Sequence, residues 1–161
     1  MRLKTFTGAE KKAYEISNRV DSVDFKVTPS MRRKVGDLAV WLAAGDKSKV
    51  RGATRAVIDL LCEAARVPAA RLSLQDRAHA EFRGDKMVVT LYGVCAPDGT
   101  ITLSFRTAVR RKVFAFKTYL NTLTHEFMHH YDHQRLMLGA SFHTRGFYQR
   151  VRDLVAQLVP A

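Results

Sequence analysis

The residues best suited to chemistry in this sequence are His125-Glu126-Phe127-Met128-His129, which form an H-E-x-x-H pattern. On an α-helix, residues four apart lie on one face, about 6 Å apart along the axis. The imidazoles of His125 and His129 can therefore bind the same metal ion. Zinc takes neutral nitrogen ligands and leaves one position open for water, and a neighbouring carboxylate can remove a proton from that water. The pattern predicts a zinc site with Glu126 as the general base.

The third ligand must come from outside this pattern. No glutamate follows Glu126, which excludes a downstream zinc-binding glutamate. The longer pattern H-E-x-x-H-x-x-G-x-x-H also fails, because Asp132 and Arg135 stand where its glycine and last histidine belong. Asp153 has suitable chemistry but no supporting motif around it. The candidates that remain are His130, Asp132, His133, His143 and Asp153.

Helix geometry and an expected chain reversal favour His143 among these candidates. His133 lies two turns from the first histidine of the pattern, too far along one helix to share a tetrahedral ion. His130 points about 100° away from His129. Gly139 is expected to end the helix, so that the chain turns back and brings His143 over the site. The predicted ligands are therefore His125, His129 and His143, with water in the fourth position.

The H-E-x-x-H helix, the short spacer, and His143 followed four residues later by Phe147 resemble SprT-like (Spartan-type) zinc metallopeptidases. A predicted hairpin ending G-T-I-T-L-S-F and a basic connector before the helix extend the resemblance over about Met87–Arg150. The resemblance implies a zincin-like fold, one Zn²⁺ per chain, and hydrolysis of peptide bonds, including those of proteins crosslinked to DNA. The sequence departs from many relatives because it has no cysteine-rich zinc ribbon.

Two other functions are compatible with the same metal site. One is a DNA-associated zinc-binding module without proteolytic activity, and the other is a zinc hydrolase that acts on a small amide. Glu126 argues against the binding module, because a purely structural zinc site needs no such carboxylate. A wide cleft bordered by a strand would argue against the small amide, and a closed pocket would favour it.

The composition is that of an ordinary globular protein. Hydrophobic residues make up 47% and charged residues 26% of the 161 residues, and we expect a single domain over residues 1–161. No apolar run is long enough to span a membrane, and the N-terminal stretch lacks the apolar core of a signal peptide. Cys62 and Cys95 form no C-x-x-C pair and are expected to be buried thiols. These features predict a cytoplasmic protein.

The net charge of +12 favours polyanionic partners, nucleic acid first. Between Gly99 and His125 the chain has no acidic residue, and this basic connector leads into the predicted metal helix. It is either a surface that steers nucleic acid without sequence preference or a solvated loop. The candidate nucleic-acid contacts within it are Arg106, Arg110, Arg111, Lys112 and Lys117.

An α+β fold is expected to position these residues, with N-terminal helices, a small and mostly antiparallel sheet, the H-E-x-x-H helix and a C-terminal closing helix. Helices are predicted over Ala9–Val20, from the cap Thr28 to Ala44, from the cap Ser48 to about Arg66, over Phe114–Leu138, and over Thr144–Leu158. Strands are predicted over Leu72–Leu74, Ala78–Phe82, Met87–Cys95 and Thr100–Phe105, the last two joined as a hairpin by Pro97-Asp98-Gly99.

Three further residue roles follow from this arrangement. In the metallopeptidases that the chain resembles, a strand edge near the metal helix receives the substrate as an added strand. Thr100–Phe105 is either that edge or an ordinary strand paired on both sides. Asp132 is a candidate for orienting a ligand imidazole through its second nitrogen. For Tyr148, packing is favoured over a hydrogen bond to a developing oxyanion.

Overall fold

The computed structural model describes residues 5–159, and within that range five helices and five strands form an α+β fold, as predicted. The helices are α1 (Gly8–Arg19), α2 (Pro29–Ala44), α3 (Lys47–Ala65), α4 (Phe116–Gln134) and α5 (Arg145–Leu158). The strands are β1 (Arg71–Arg77), β2 (His79–Arg83), β3 (Lys86–Leu91), β4 (Gly93–Cys95) and β5 (Thr100–Arg106). The first residues of the N-terminal stretch, and both ends of the predicted domain, lie outside the described residues.

Capping residues determine where α2 and α3, the two helices just before the sheet in the chain, begin and end. The Thr28 side chain accepts a hydrogen bond from the main-chain N–H of the third helical residue and caps α2, and Gly45 ends that helix in the left-handed conformation with φ of 68°. Both predictions are confirmed. The predicted cap Ser48 is wrong, because the Asp46 carboxylate accepts from the Lys49 main-chain N–H at 3.1 Å and starts α3 two residues earlier.

The strand β5 lies in the middle of a three-stranded sheet of order β1-β5-β4. It runs parallel to β1 and antiparallel to β4, while β2 and β3 form a separate antiparallel hairpin. Most of the pairings are thus antiparallel, as predicted, but the longest pairing of the central sheet is parallel. Of the two interpretations of Thr100–Phe105, the edge strand is wrong and the ordinary paired strand is confirmed, because β1 pairs along its other side. Within the described chain, the edge next to the metal helix belongs to β4.

The predicted strand Met87–Cys95 is divided at Tyr92. Its first part, β3, pairs with β2, and its last three residues form β4 on the central sheet. The ring of Tyr92 packs 4.9 Å from the ring of Phe114, measured between centroids. The hairpin at Pro97-Asp98-Gly99 is confirmed, because β4 and β5 pair in antiparallel register on either side of it.

The helix α4, which carries the H-E-x-x-H pattern, packs on the central sheet through one hydrophobic core. The inward side chains of β5, Ile101, Leu103 and Phe105, are completely buried, and so are Leu123 and Phe127 of α4. This matches the alternation predicted for the strand. A helix packed in this way is a rigid support for ligands.

The segment after α4 reverses direction earlier than predicted. The helix ends at Gln134 and not at Gly139, and Met137 adopts the left-handed conformation with φ of 56°. The chain still returns across the helix, and the Thr144 hydroxyl accepts from the Phe147 main-chain N–H at 3.0 Å to cap α5. Among the helices of residues 5–159, none combines the length and apolarity needed to cross a membrane.

Candidate metal centre

The three predicted ligands meet at one point. The Nε2 atom of His143 lies 3.1 Å from Nε2 of His125 and 3.0 Å from Nε2 of His129. In a tetrahedral zinc site with Zn–N bonds of about 2.0–2.1 Å, nitrogens are about 3.3 Å apart. One potential ligand atom from each histidine lies within 4.8 Å of the other two. The structure therefore brings together a group that can hold a metal ion.

The Phe147 ring packs against all three imidazoles. Its ring centroid lies 5.0 Å from that of His125, 4.7 Å from that of His129 and 5.2 Å from that of His143. The Phe147 side chain is completely buried, because it is in the first turn of α5 and that turn packs against α4. The residue that carried part of the family resemblance is thus a packing support for the histidine cluster.

The two helical histidines are held in the neutral form that binds metals. Burial, and to a smaller extent the proximity of His143, lowers the pKa of His125 to about 4. Burial and the neighbouring histidines lower the pKa of His129 to about 3. Both imidazoles are therefore neutral at pH 7, and protons compete weakly with a metal for their lone pairs.

A hydrogen-bond chain fixes which nitrogen of His129 faces the site. The Ser141 hydroxyl donates to Oδ2 of Asp132 at 2.8 Å, so it accepts from Nδ1 of His129, which lies 2.7 Å away. The proton of the neutral ring is then on Nδ1, and Nε2 presents its lone pair to the metal position. The predicted orienting role of Asp132 is exerted through Ser141, which sequence reasoning missed because no local motif marks it.

Asp132 is in turn held by a buried ion pair. Nη2 of Arg150 donates to Oδ1 of Asp132 at 2.8 Å, and both side chains are completely buried. Burial raises the pKa of the Asp132 carboxyl, while the charge of Arg150 and the hydrogen bond from Ser141 lower it. The carboxylate is the form that can accept from both donors, because the guanidinium keeps its protons at every accessible pH.

Glu126 lies beside the histidine cluster and outside its set of ligand atoms. Only 7% of the residue is exposed, and it lines the same cavity as the three histidines. Burial raises the pKa of its carboxyl to about 7, and a hydrogen bond with the Cys95 main chain opposes this rise. A carboxyl with a pKa near neutrality can both accept a proton and release it, which suits a general base.

The cavity in front of the histidines has a volume of about 420 Å³ and is bordered by α4 on one side and by β4 on the other. On its rim, Leu91 is 49% and Val94 is 50% exposed. Gly93 allows β4 to approach α4, because a Cβ there would lie 2.8 Å from Cγ2 of Thr122 and 3.0 Å from the Thr102 carbonyl oxygen. The result is an open cleft between an edge strand and the H-E-x-x-H helix.

The other candidate ligands His130, His133 and Asp153 make hydrogen bonds of their own and lie outside the three-histidine group. Nε2 of His130 is hydrogen-bonded to the Pro68 carbonyl at 2.7 Å, and Nδ1 of His133 to the Leu138 carbonyl at 2.9 Å. Asp153 accepts a main-chain N–H at 3.3 Å from the segment before α2. His133 does line the cleft, but neither it nor the other two belongs to the three-histidine group.

Tyr148 borders the site. Its ring centroid lies 5.8 Å from that of His143 and 6.4 Å from that of His125. It packs on these imidazoles, but 44% of the residue is exposed, so the ring lies at the rim of the histidine cluster and not in the core.

The basic connector forms an ordered turn after β5. The Thr107 main-chain N–H donates to the Lys112 carbonyl at 2.8 Å, and an isolated β-bridge joins Arg106 to Val113. Arg106 is half-buried and lies 3.7 Å from an Asp76 carboxylate oxygen. The other four candidate contacts are exposed: Arg110, Arg111, Lys112 and Lys117. The turn precedes α4, whose first residue lies about 13 Å along the axis from His125.

Comparison of the chain with protein-family models, curated proteins and solved structures found no match. The resemblance to SprT-like metallopeptidases therefore rests on the H-E-x-x-H residues, His143 and Phe147. A zincin-like fold stays a prediction, and function has to be argued from the geometry of the site.

Proposed function

We propose that this chain is a zinc-dependent metallopeptidase, with His125, His129 and His143 as the ligands of one Zn²⁺ per chain and Glu126 as the general base. The observation that carries the proposal is the convergence of three imidazoles in one cleft with the buried Glu126 carboxyl, whose pKa is raised to about 7. Bound zinc supplies a Lewis acid that makes water more acidic and polarises a carbonyl.

Other residues of the cleft transfer the proton and hold the histidines in position. Glu126 removes the proton from the attacking water and passes it to the leaving amine, which a carboxyl with a pKa near 7 does in both directions. Ser141 and Asp132 hold the His129 ring in one tautomer. Phe147 keeps the three imidazoles in place from the buried side.

The shape of the cleft supports a polypeptide as the substrate over a small amide. Within the described sheet, β4 is paired with β5 on one side only and lines the cavity. An extended peptide can add to such an edge through main-chain hydrogen bonds, which place a carbonyl without reading its side chains. The open rim of Leu91 and Val94 favours a chain that enters and leaves the cleft. We propose β4, and not Thr100–Phe105, as the substrate edge.

The charge of the protein supports DNA-associated proteins as one class of substrate. The net charge is +12, and the turn that carries Arg110, Arg111 and Lys112 exposes all three side chains. Such a surface attracts a polyanion without sequence preference. The positive charge equally favours the second candidate function, a DNA-associated zinc-binding module without proteolysis. Glu126→Gln separates the peptidase from the binding module.

We also propose a cytoplasmic location. Cys62 and Cys95 are free thiols, and burial raises the pKa of Cys95 to about 11. A thiol with such a pKa is unreactive, which suits a residue that packs in a reducing compartment.

The proposal is tested with Glu126→Gln, which keeps the size of the side chain and removes its ability to accept a proton. The variant should retain zinc and the fold but lose activity by about a hundredfold to ten-thousandfold. Activity is measured as chelator-sensitive cleavage of an unfolded protein, with and without DNA. Glu63→Gln, an exposed glutamate at the end of α3, is the matched control and should cleave like wild type. Equal behaviour of wild type and Glu126→Gln would leave the binding module as the better function.

A further inference from the structure

A chain of polar side chains, buried from Asp132 onward, leads from the candidate metal centre to α1, the helix farthest from it in sequence. It starts with His129, Ser141 and Asp132 and continues through Arg150. Nη1 of Arg150 donates to the Ser17 carbonyl at 2.7 Å, and Nη2 reaches the Ser17 hydroxyl at 3.2 Å. The guanidinium thus joins the carboxylate behind the metal centre to α1.

The α1 end of this chain is tied to the start of α5 as well. The Ser17 hydroxyl, which accepts from Arg150, lies 2.9 Å from the hydroxyl of Thr144. Thr144 caps α5 and directly follows the third histidine in sequence. Nη1 of Arg150 also donates to the Val20 carbonyl, at the end of α1. Both His129 and the segment that carries His143 are therefore connected to α1.

These contacts are sealed from solvent. Ser17, Asp132 and Arg150 are completely buried, and Thr144 is 1% exposed. A Cβ at Gly146 would overlap the Ser17 carbonyl oxygen, so α1 packs directly on the first turn of α5. Among the buried side-chain atoms of residues 5–159, Nε of Arg150 is the one without a hydrogen-bond partner. Apart from Asp132, the acceptors of the guanidinium are the Ser17 carbonyl and hydroxyl and the Val20 carbonyl, all in α1 or at its end.

We propose that α1 is a positioning element of the metal centre, and that docking of α1 and metal binding stabilise each other through Ser17, Arg150, Asp132 and Ser141. Metal binding fixes the His129 ring and makes its Nδ1–H a stronger donor to Ser141, which strengthens each later link. Because binding equilibria are reciprocal, an ordered α1 raises metal affinity by the same factor by which the metal favours docked α1. The inference rests on the metal site of the proposed function and is independent of peptide hydrolysis.

Zinc affinity of Ser17→Ala, measured by competition with a chromophoric chelator, is the first test. Alanine is a better helix former than serine, so the change removes the hydroxyl without weakening α1 itself. We expect the affinity to fall by about tenfold or more, in the range for partners that orient a metal ligand. Arg150→Lys keeps the charge but not the forked hydrogen bonds and should weaken zinc binding further. Ser22→Ala, an exposed serine outside the buried polar chain, should bind zinc like wild type.

Hydrogen exchange of α1 with and without zinc, compared with that of α3, is the deciding measurement. Zinc binding stabilises the whole native state and slows exchange through global unfolding in every helix, so only a slowing of α1 beyond that of α3 reports the coupling. In wild type, zinc should slow exchange across Gly8–Arg19 by a larger factor than across Lys47–Ala65. In Ser141→Ala, which interrupts the chain near the metal and leaves α1 untouched, zinc added to saturation should slow α1 exchange by less than in wild type, because only the link from His143 through Thr144 to Ser17 remains. A zinc-bound wild type in which α1 exchange slows no more than that of α3 would overturn the inference and leave the proposed function intact. A wild type that binds no zinc would overturn both.

Discussion

At the scale of single residues, the centre depends on which ring nitrogen carries a proton. Ser141 can accept from Nδ1 of His129 only because its own proton goes to Asp132. This leaves Nε2 of His129 unprotonated and close to Nε2 of His143. His133 also donates its Nδ1–H, to the Leu138 carbonyl, so its tautomer does not set it apart; it differs because no atom of it belongs to the three-histidine group.

Replacing individual histidines should therefore separate ligands from neighbours. Wild type should hold about one equivalent of zinc, since its three imidazoles leave a fourth position for water. His143→Ala should reduce zinc affinity by more than the about 10–100-fold typical of removing an orienting partner. His133→Ala removes a residue that lines the cleft but lies outside the cluster, and should leave affinity unchanged. Metal analysis and chelator competition measure both, and the reverse order would show that the third ligand is misassigned.

At the scale of elements, the cleft exists because a strand approaches a helix at a glycine. Gly93→Ala places a methyl group 2.8 Å from Cγ2 of Thr122. Overpacking of this kind costs about 1–3 kcal/mol in the free energy of unfolding. Because β4 must move away from α4, peptide cleavage should fall while zinc content stays the same. Denaturant unfolding, cleavage rate and metal analysis together test this prediction.

The matched control for Gly93→Ala is Gly52→Ala in α3. A Cβ there meets no atom within 4 Å, and the residue is exposed. Alanine in a helix interior is favoured over glycine by about 0.5–1 kcal/mol, so this variant should be more stable than wild type and equally active. If Gly93→Ala were as active as Gly52→Ala, the position of β4 would not matter to catalysis.

At the scale of the whole molecule, the net charge of +12 predicts salt-dependent binding to DNA. Changing Arg110, Arg111 and Lys112 to Ala removes exposed charges from the turn before α4. The slope of log affinity against log salt should become shallower by about 0.9 for each phosphate that the variant no longer neutralises. Fluorescence anisotropy with a labelled duplex, measured over a series of salt concentrations, gives the slope.

A second triple variant tests whether the basic turn is special. Arg33, Lys34 and Arg51 are exposed cations on α2 and α3, and changing them to Ala removes the same charge. An equal change in slope would attribute DNA binding to the general charge of the protein. If wild type did not bind the duplex at low salt, DNA would be excluded as a partner.

The sequence alone determined the parts of the site that are local. The spacing of His125 and His129 follows from the helical period, and the caps at Thr28 and Gly45 follow from hydrogen bonds within a few residues. Local patterns also indicated the hairpin before β5. His143 was within reach of sequence reasoning because the number of residues after the metal helix limits where the chain can return.

The tertiary structure decided what depends on distant partners. Which strand is at the edge depends on the pairing of β1 with β5, and those strands are separated by the hairpin of β2 and β3. The link from Arg150 to Ser17 joins residues 133 positions apart, and no periodicity in either helix marks it. Side-chain hydrogen bonds of this kind form only where packing brings two surfaces together and excludes water from their polar atoms. The three histidines of the candidate metal centre could thus be predicted from local order, but the elements that hold them in place could not.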